Sequence, residues 1–240
     1  MSDEAIQWFK TSGVDVCAPS ATVYVACMPE LDPPIQLPKL SEKDGEWHIV
    51  HATGVARVTD DPKWCGDGYL SLAKCEVLVR QGVHLHVYGT FFDRKDPGYA
   101  PFVELERRSP YFHIEEQLEF DELLTVLTQY DYAWKHWDVS RMAIWPAFAQ
   151  YLTANFHAYI QSGLPLMISP FAPPLEVRMV REHGIGLCVA EEELQNLKQI
   201  LDDNKKNLSA MQQRVHRAKE DVFYYDVQSL LKVIGPHLAS

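Results

Sequence analysis

The sequence predicts an α/β domain: a parallel β-sheet with helices on both faces, followed by further helices at the C-terminal end. Three observations predict it. Short runs rich in β-branched and aromatic residues alternate with helix-period segments; glycines stand where those segments stop; and 240 residues with 47% hydrophobic content can bury a core without a metal or disulfide staple. Strand–helix–strand succession of this kind imposes parallel pairing, because the crossover returns the chain to the same edge of the sheet.

The elements follow in order. Residues 1–21 read as an N-terminal extension or linker, with a short helix from Glu4 to Lys10. The main domain spans 22–190, and residues 191–240 form C-terminal helices that pack on it. Val23 to Cys27 is β-branched and aromatic enough for a strand. Pro29, Pro33, Pro34 and Pro38 exclude a helix or inner strand over 29–38, which is expected to be a surface linker. Then come a strand at Trp47 to Ala52, a helix at Tyr69 to Gln81 stopped by Gly82, and a strand at Val83 to Tyr88 stopped by Gly89. A loop rich in Asp, Pro and Gly leads to a short helix ending at Arg107, a strand at Tyr111 to Glu115, and a helix capped by Asp121 that runs to about Gln129. Strands at Tyr132 to His136, Leu164 to Ile168 and Ile185 to Val189 are separated by helices at Phe156 to Ser162 and Pro174 to Glu182. Beyond Glu191 two apolar stripes repeat at helical spacing, one through Leu194, Leu197, Ile200 and Leu201, the other from Met211 to Leu231.

Charge and cysteine usage narrow the function. With 33 acidic against 22 basic residues the net charge is −11, and the cations are scattered, so a nucleic-acid backbone is repelled by most of the surface. Five cysteines without a CxxC pair point to reduced thiols in a cytoplasmic protein rather than a disulfide frame or zinc cluster. No apolar run of 18 residues marks a membrane span.

The ordered motifs resemble a known family. The stretch from Ala158 through Ser162-Gly163-Leu164-Pro165 to the apolar run Leu166-Met167-Ile168, followed by Glu176 to Gly184-Ile185-Gly186, is similar to the C-terminal donor-binding domain of GT-B glycosyltransferases. There a helix ends in a small-Gly-x-Pro turn, an apolar strand follows, and a helix leads to a Gly-x-Gly strand. His48 to Gly54 looks like that family's first strand with its terminal glycine, and Val83 to Gly89 like its second. Phe120-Asp121-Glu122-Leu123 and Tyr130-Asp131-Tyr132-Ala133 complete an ordered set covering roughly residues 22–235.

The resemblance implies a Rossmann-like sheet forming one half of a GT-B fold, and a nucleotide-sugar donor bound as substrate with no cofactor and no metal. It also implies an acceptor domain or partner subunit beyond these residues. Ligands of open parallel sheets sit beyond the carboxyl ends of the strands, so Gly54 and Gly89 are expected to rim the cleft. Arg57 and Lys63 are expected near the phosphates, Glu115 near the base, and the amides opening the helix at Asn155 and Phe156 on the diphosphate. An exposed half-cleft would favour self-association.

The sequence also departs from the family. Its two glutamates, eight residues apart, correspond to Gln150 and Ala158; its arginine after the first glycine corresponds to Val55, and its lysine before a glycine to Asp67. Arg57 and Lys63 are the available stand-ins. These losses keep open a catalytically inactive glycosyltransferase-like module that binds a partner. An oxidoreductase is disfavoured because no GxGxxG follows the first strand. Trp134, His136, Trp137 and Trp145 stack on a base or sugar in one reading and fill the core in the other. His48, His51, His84 and His86 invite a metal reading, but no cysteine or carboxylate stands at matching spacing, so packed histidines are expected.

Overall fold

The computed structural model describes residues 27–53, 55, 58, 70–89, 93–135 and 152–224. Its centre is a six-stranded sheet of β1 (Trp47–His51), β2 (Val83–Val87), β3 (Phe112–Ile114), β4 (Tyr132–Lys135), β5 (Leu166–Ile168) and β6 (Gly186–Cys188). The spatial order is β3-β2-β1-β4-β5-β6, and every neighbouring pair is parallel. Direction of winding therefore reverses between β1 and β4.

Helices cover both faces. On one side Ile49, Val83, Leu85, Phe112, Tyr132 and Met167 pack against α1 (Leu72–Val79), α2 (Ala100–Arg108) and α6 (Leu197–Asn204). On the other, Val50, Ala133, Leu166 and Ile168 meet α3 (Phe120–Leu127), α4 (Ala154–Gln161), α5 (Pro174–His183) and α7 (Leu208–Ala218). Adjacent strand residues go to opposite layers, as a period of two requires. Most of these helices are too short to persist alone, since isolated helices below about 12–15 residues are marginal in water. They are held by their apolar stripes: Leu124 and Leu127 of α3, and Leu197 and Leu201 of α6, are buried.

Three expectations need correction. The proline-rich stretch is no free linker. Leu37 N within it donates to Thr128 Oγ1 at 2.9 Å, and the flanking amides are anchored as well, Met28 N on Gln161 Oε1 and Leu40 N on the Gln129 carbonyl, each at 2.9 Å. Asp32 there receives Lys219 Nζ at 2.8 Å, together with the Gln161 amide and the Tyr224 hydroxyl. Secondly, α3 begins at Phe120 with Glu119 as N-cap, so Asp121 is a first-turn charge rather than the cap. Thirdly, the helix expected to continue past Ala218 widens into a π turn at Lys219–Phe223, and Tyr224 is already extended, pairing with Cys27 in a parallel bridge. The buried Phe223 ring sits edge-on to Phe156, 5.8 Å between centroids, which draws the chain inward at that point. Of the strand expected at 23–27 only Cys27 falls within the described residues, as do none of residues 225–240. Among the described residues Cys27, Cys75 and Cys188 are free thiols, and no helix is long and apolar enough to cross a membrane.

Candidate functional site

The carboxyl ends of the strands build one edge, and the reversal between β1 and β4 opens a crevice there. Just beyond β1, Ala52 N donates to the buried Tyr159 hydroxyl of α4 at 2.8 Å, which ties the segment leading to Gly54 to the helix after β4. Beyond β2, Tyr88 N donates to the His51 carbonyl at 2.9 Å and its hydroxyl meets that of Tyr130 at 2.8 Å. Burial pushes the Tyr88 phenol up to about 12, so both hydroxyls stay protonated near neutrality. Gly89 follows, half-buried at the rim.

At the end of β3, Glu115 N donates to the Val87 carbonyl at 3.0 Å, while its carboxylate turns onto the sheet face. There Oε1 lies 2.7 Å from His86 Nδ1, and the hydrogen bond from His86 holds the carboxyl below its ordinary value.

The end of β4 carries a buried ion pair. Lys135 Nζ lies 2.6 Å from Glu176 Oε2 of α5, with side-chain exposures of 1% and 0%. The other oxygen, Oε1, accepts from Thr153 N at 2.9 Å and Thr153 Oγ1 at 2.7 Å. Thr153 is the N-cap of α4, and its hydroxyl also reaches Asn155 Oδ1 at 2.5 Å. One carboxylate thus joins β4, α5 and the start of α4. Negative charge at a helix start is favourable because the unpaired amides there carry partial positive charge. Beyond β5, Ser169 Oγ accepts from Phe171 N at 3.1 Å, and a groove of about 540 Å³ opens among Pro170, Phe171, Ala172, Val177, Arg178 and Arg181. Arg178, Arg181 and Glu182 line it beside the exposed phenyl ring of Phe171.

Set against the sequence expectations, Gly89, Glu115 and Asn155 lie along this edge or at the helix that opens from it. Phe156 is there too, but its side chain is fully buried in the core, so only its main chain can serve a ligand. Glu115, expected near the base, stands at the end of β3 at this edge with its carboxylate on His86. Gly54, Arg57 and Lys63 lie outside the described residues, as do His136, Trp137, Trp145 and Gln150. Trp134 is a core residue, and Ala158 packs in the core where the family has a carboxylate. Sequence reasoning missed Lys135, Thr153, Glu176, Arg178 and Arg181. Two signals were present: a lone cation ending the apolar run Tyr132-Ala133-Trp134, and two arginines three apart on the helix after an apolar strand.

No family model matches the chain, and no curated protein matches it. Solved structures do. Sucrose-phosphate synthase from Thermosynechococcus elongatus superposes with a TM-score of 0.59 at 11% identity, covering 100% of this chain and 58% of that one. A TarM variant from S. aureus, solved with UDP, gives 0.54 at 11% identity over 100% of this chain and 43% of that one. A glycosyltransferase from Rickettsia africae gives 0.51 at 14% identity over 89% and 56%. The chain therefore spans about half the length of the structures it resembles. The fold is that of a GT-B glycosyltransferase-like domain, one Rossmann-like half of such a molecule.

Proposed function

We propose that this domain holds a nucleotide-diphospho-sugar as the donor half of a glycosyltransferase, the acceptor being held by a second domain or partner subunit. The observation that supports it is the crevice at the reversal point, where the ends of β1, β2 and β4 converge with the start of α4. In this reading Gly54 and Gly89 let the main chain approach the ligand, Arg57 and Lys63 neutralise the diphosphate, and Asn155 and Phe156 contribute main-chain amides. Beyond β5, Arg181 lines the groove beside the same edge, with Glu182 next to it. Fixed cations at a leaving diphosphate stabilise the charge that develops during transfer. The TarM neighbour, solved with UDP, supports a uridine nucleotide as the first ligand to try.

Isothermal titration with UDP-, GDP- and ADP-glucose tests this. Binding of one of them with a Kd of about 1 mM or tighter, worth at least about 4 kcal/mol, is expected; heat-silent mixing with all three overturns the proposal. Arg57→Ala combined with Lys63→Ala should weaken that binding at least tenfold. A second reading, a glycosyltransferase-like module that binds a partner without catalysis, is favoured by one feature. The Glu176 carboxylate already complements the start of α4, where a diphosphate would otherwise lie. Under that reading none of the nucleotide sugars binds.

A further inference from the structure

Four imidazoles lie side by side across three strands on one face of the sheet. His48 of β1 stacks on His84 of β2, 4.2 Å between ring centroids and 4° from parallel, and His86 stacks on His113 of β3 at 4.3 Å. The register explains the gathering: His48 pairs with His84, and His86 with His113, on adjacent parallel strands. His51, three residues after His48, falls on the opposite face by alternation and meets the Trp134 carbonyl at 3.2 Å instead.

Each of three rings turns one nitrogen to a carboxylate. His48 Nε2 is 2.9 Å from Asp44 Oδ2, His84 Nε2 is 2.8 Å from Glu46 Oε2, and His86 Nδ1 is 2.7 Å from Glu115 Oε1. An ionised carboxylate only accepts, so these nitrogens carry the protons and the opposite nitrogens present lone pairs. His48 Nδ1 and His86 Nε2 then face each other at 2.9 Å as two acceptors, a contact that needs a cation or an additional proton between them. A single nitrogen from each of His48, His84 and His86 lies within 4.8 Å of the other two.

We propose that His48, His84 and His86 bind a divalent late transition-metal ion of the zinc, nickel or copper class, with Asp44, Glu46 and Glu115 orienting the three rings. Imidazole donors suit that class of ion, and a metal-bound histidine ordinarily donates its other N–H to a carboxylate or carbonyl. Zn–N bonds of about 2.0–2.1 Å at a tetrahedral angle put ligand nitrogens about 3.3 Å apart. The closest pair already stands near that spacing, and ring rotation closes the rest. The fourth position falls to water or to His113 Nε2, which is 2.9 Å from His84 Nδ1. Of the groups around the cluster, Asp44 is 42% and Glu115 33% exposed, while His48 and His86 are nearly closed off. The three rings lie on the sheet face, and the Glu115 carboxylate that meets His86 stands at the end of β3 at the carboxyl edge.

The test uses tag-free, chelator-stripped full chain titrated with Zn²⁺ and Co²⁺. One equivalent is expected to bind with micromolar or tighter affinity, with a Co²⁺ visible spectrum of a four- or five-coordinate nitrogen-rich site. X-ray absorption of the zinc form should show at least three imidazoles at about 2.0 Å. His86→Gln and, separately, His84→Gln should each lower Zn²⁺ affinity at least tenfold, with far-UV circular dichroism confirming the fold; His84, the more exposed ring, is the safer substitution. Absence of stoichiometric binding, fewer than three imidazoles around bound zinc, or unchanged affinity in either folded variant overturns the proposal.

Discussion

Replacing Lys135 by Met should unsettle the crevice more than any surface change nearby. The Glu176 carboxylate has no exposure and sits 2.6 Å from Lys135 Nζ, so the substitution leaves a carboxylate deep in the protein without its neutralising partner. Stranding one member of such a pair typically costs about 3–5 kcal/mol. For a domain of this size about 1 kcal/mol shifts Tm by about 2–4 °C, so the midpoint should fall by about 6–20 °C. Urea unfolding monitored by tryptophan fluorescence measures the loss. The informative comparison is Lys135→Met combined with Glu176→Gln, because the amide oxygen still accepts from Thr153 N while the charge is gone. That double variant should regain at least about 2 kcal/mol over Lys135→Met alone. A Lys135→Met cost below about 1 kcal/mol, or a double variant as unstable as the two single losses added together, would refute the reasoning.

Two further outcomes follow from other positions. Gly163 has φ +70, and an added Cβ would lie 2.5 Å from His216 Cε1 of α7, so Gly163→Ala should cost about 1–2 kcal/mol for the left-handed backbone plus the displacement of that ring; adding His216→Ala should recover the second part only, and full recovery in chemical denaturation would contradict the backbone contribution. Burial pushes the Lys39 ammonium down to about 8 against its ordinary 10.5, with Asp131 opposing. Between those two pH values the unfolded chain holds a proton the folded chain has lost, so stability relative to Lys39→Met should rise with pH from 8 to 10.5. Denaturation at pH 7.5, 9 and 10 checks the sign, and a difference that is flat or falls removes the argument.

Local pattern carried most of the architecture. Every strand from Trp47 onward falls within a residue or two of its expected place, because strand and helix periods, glycine stops and proline breaks are written in neighbouring residues. The site was less legible, since its contacts join distant parts of the chain. Lys135 and Glu176 are 41 positions apart, and their pairing follows only once β4 and β5 lie in register. His113 drew no attention as a single histidine in a short strand; parallel register with His86 is what places it in the stack. The proline-rich stretch was misread for the same reason. Its prolines leave room only for a single 3-10 turn at Pro29–Leu31, but the partners of Met28, Leu37 and Leu40 are residues 89 or more positions away.

The parallel bridge between Cys27 and Tyr224 fastens the segment before β1 to the end of the helical layer, with Asp32 held by Lys219 and Tyr224 beside it. Opening that rung together with the Asp32 contacts would release the segment around Met28 to Asp32 from the end of α7 while every pairing of the six-stranded sheet stayed intact.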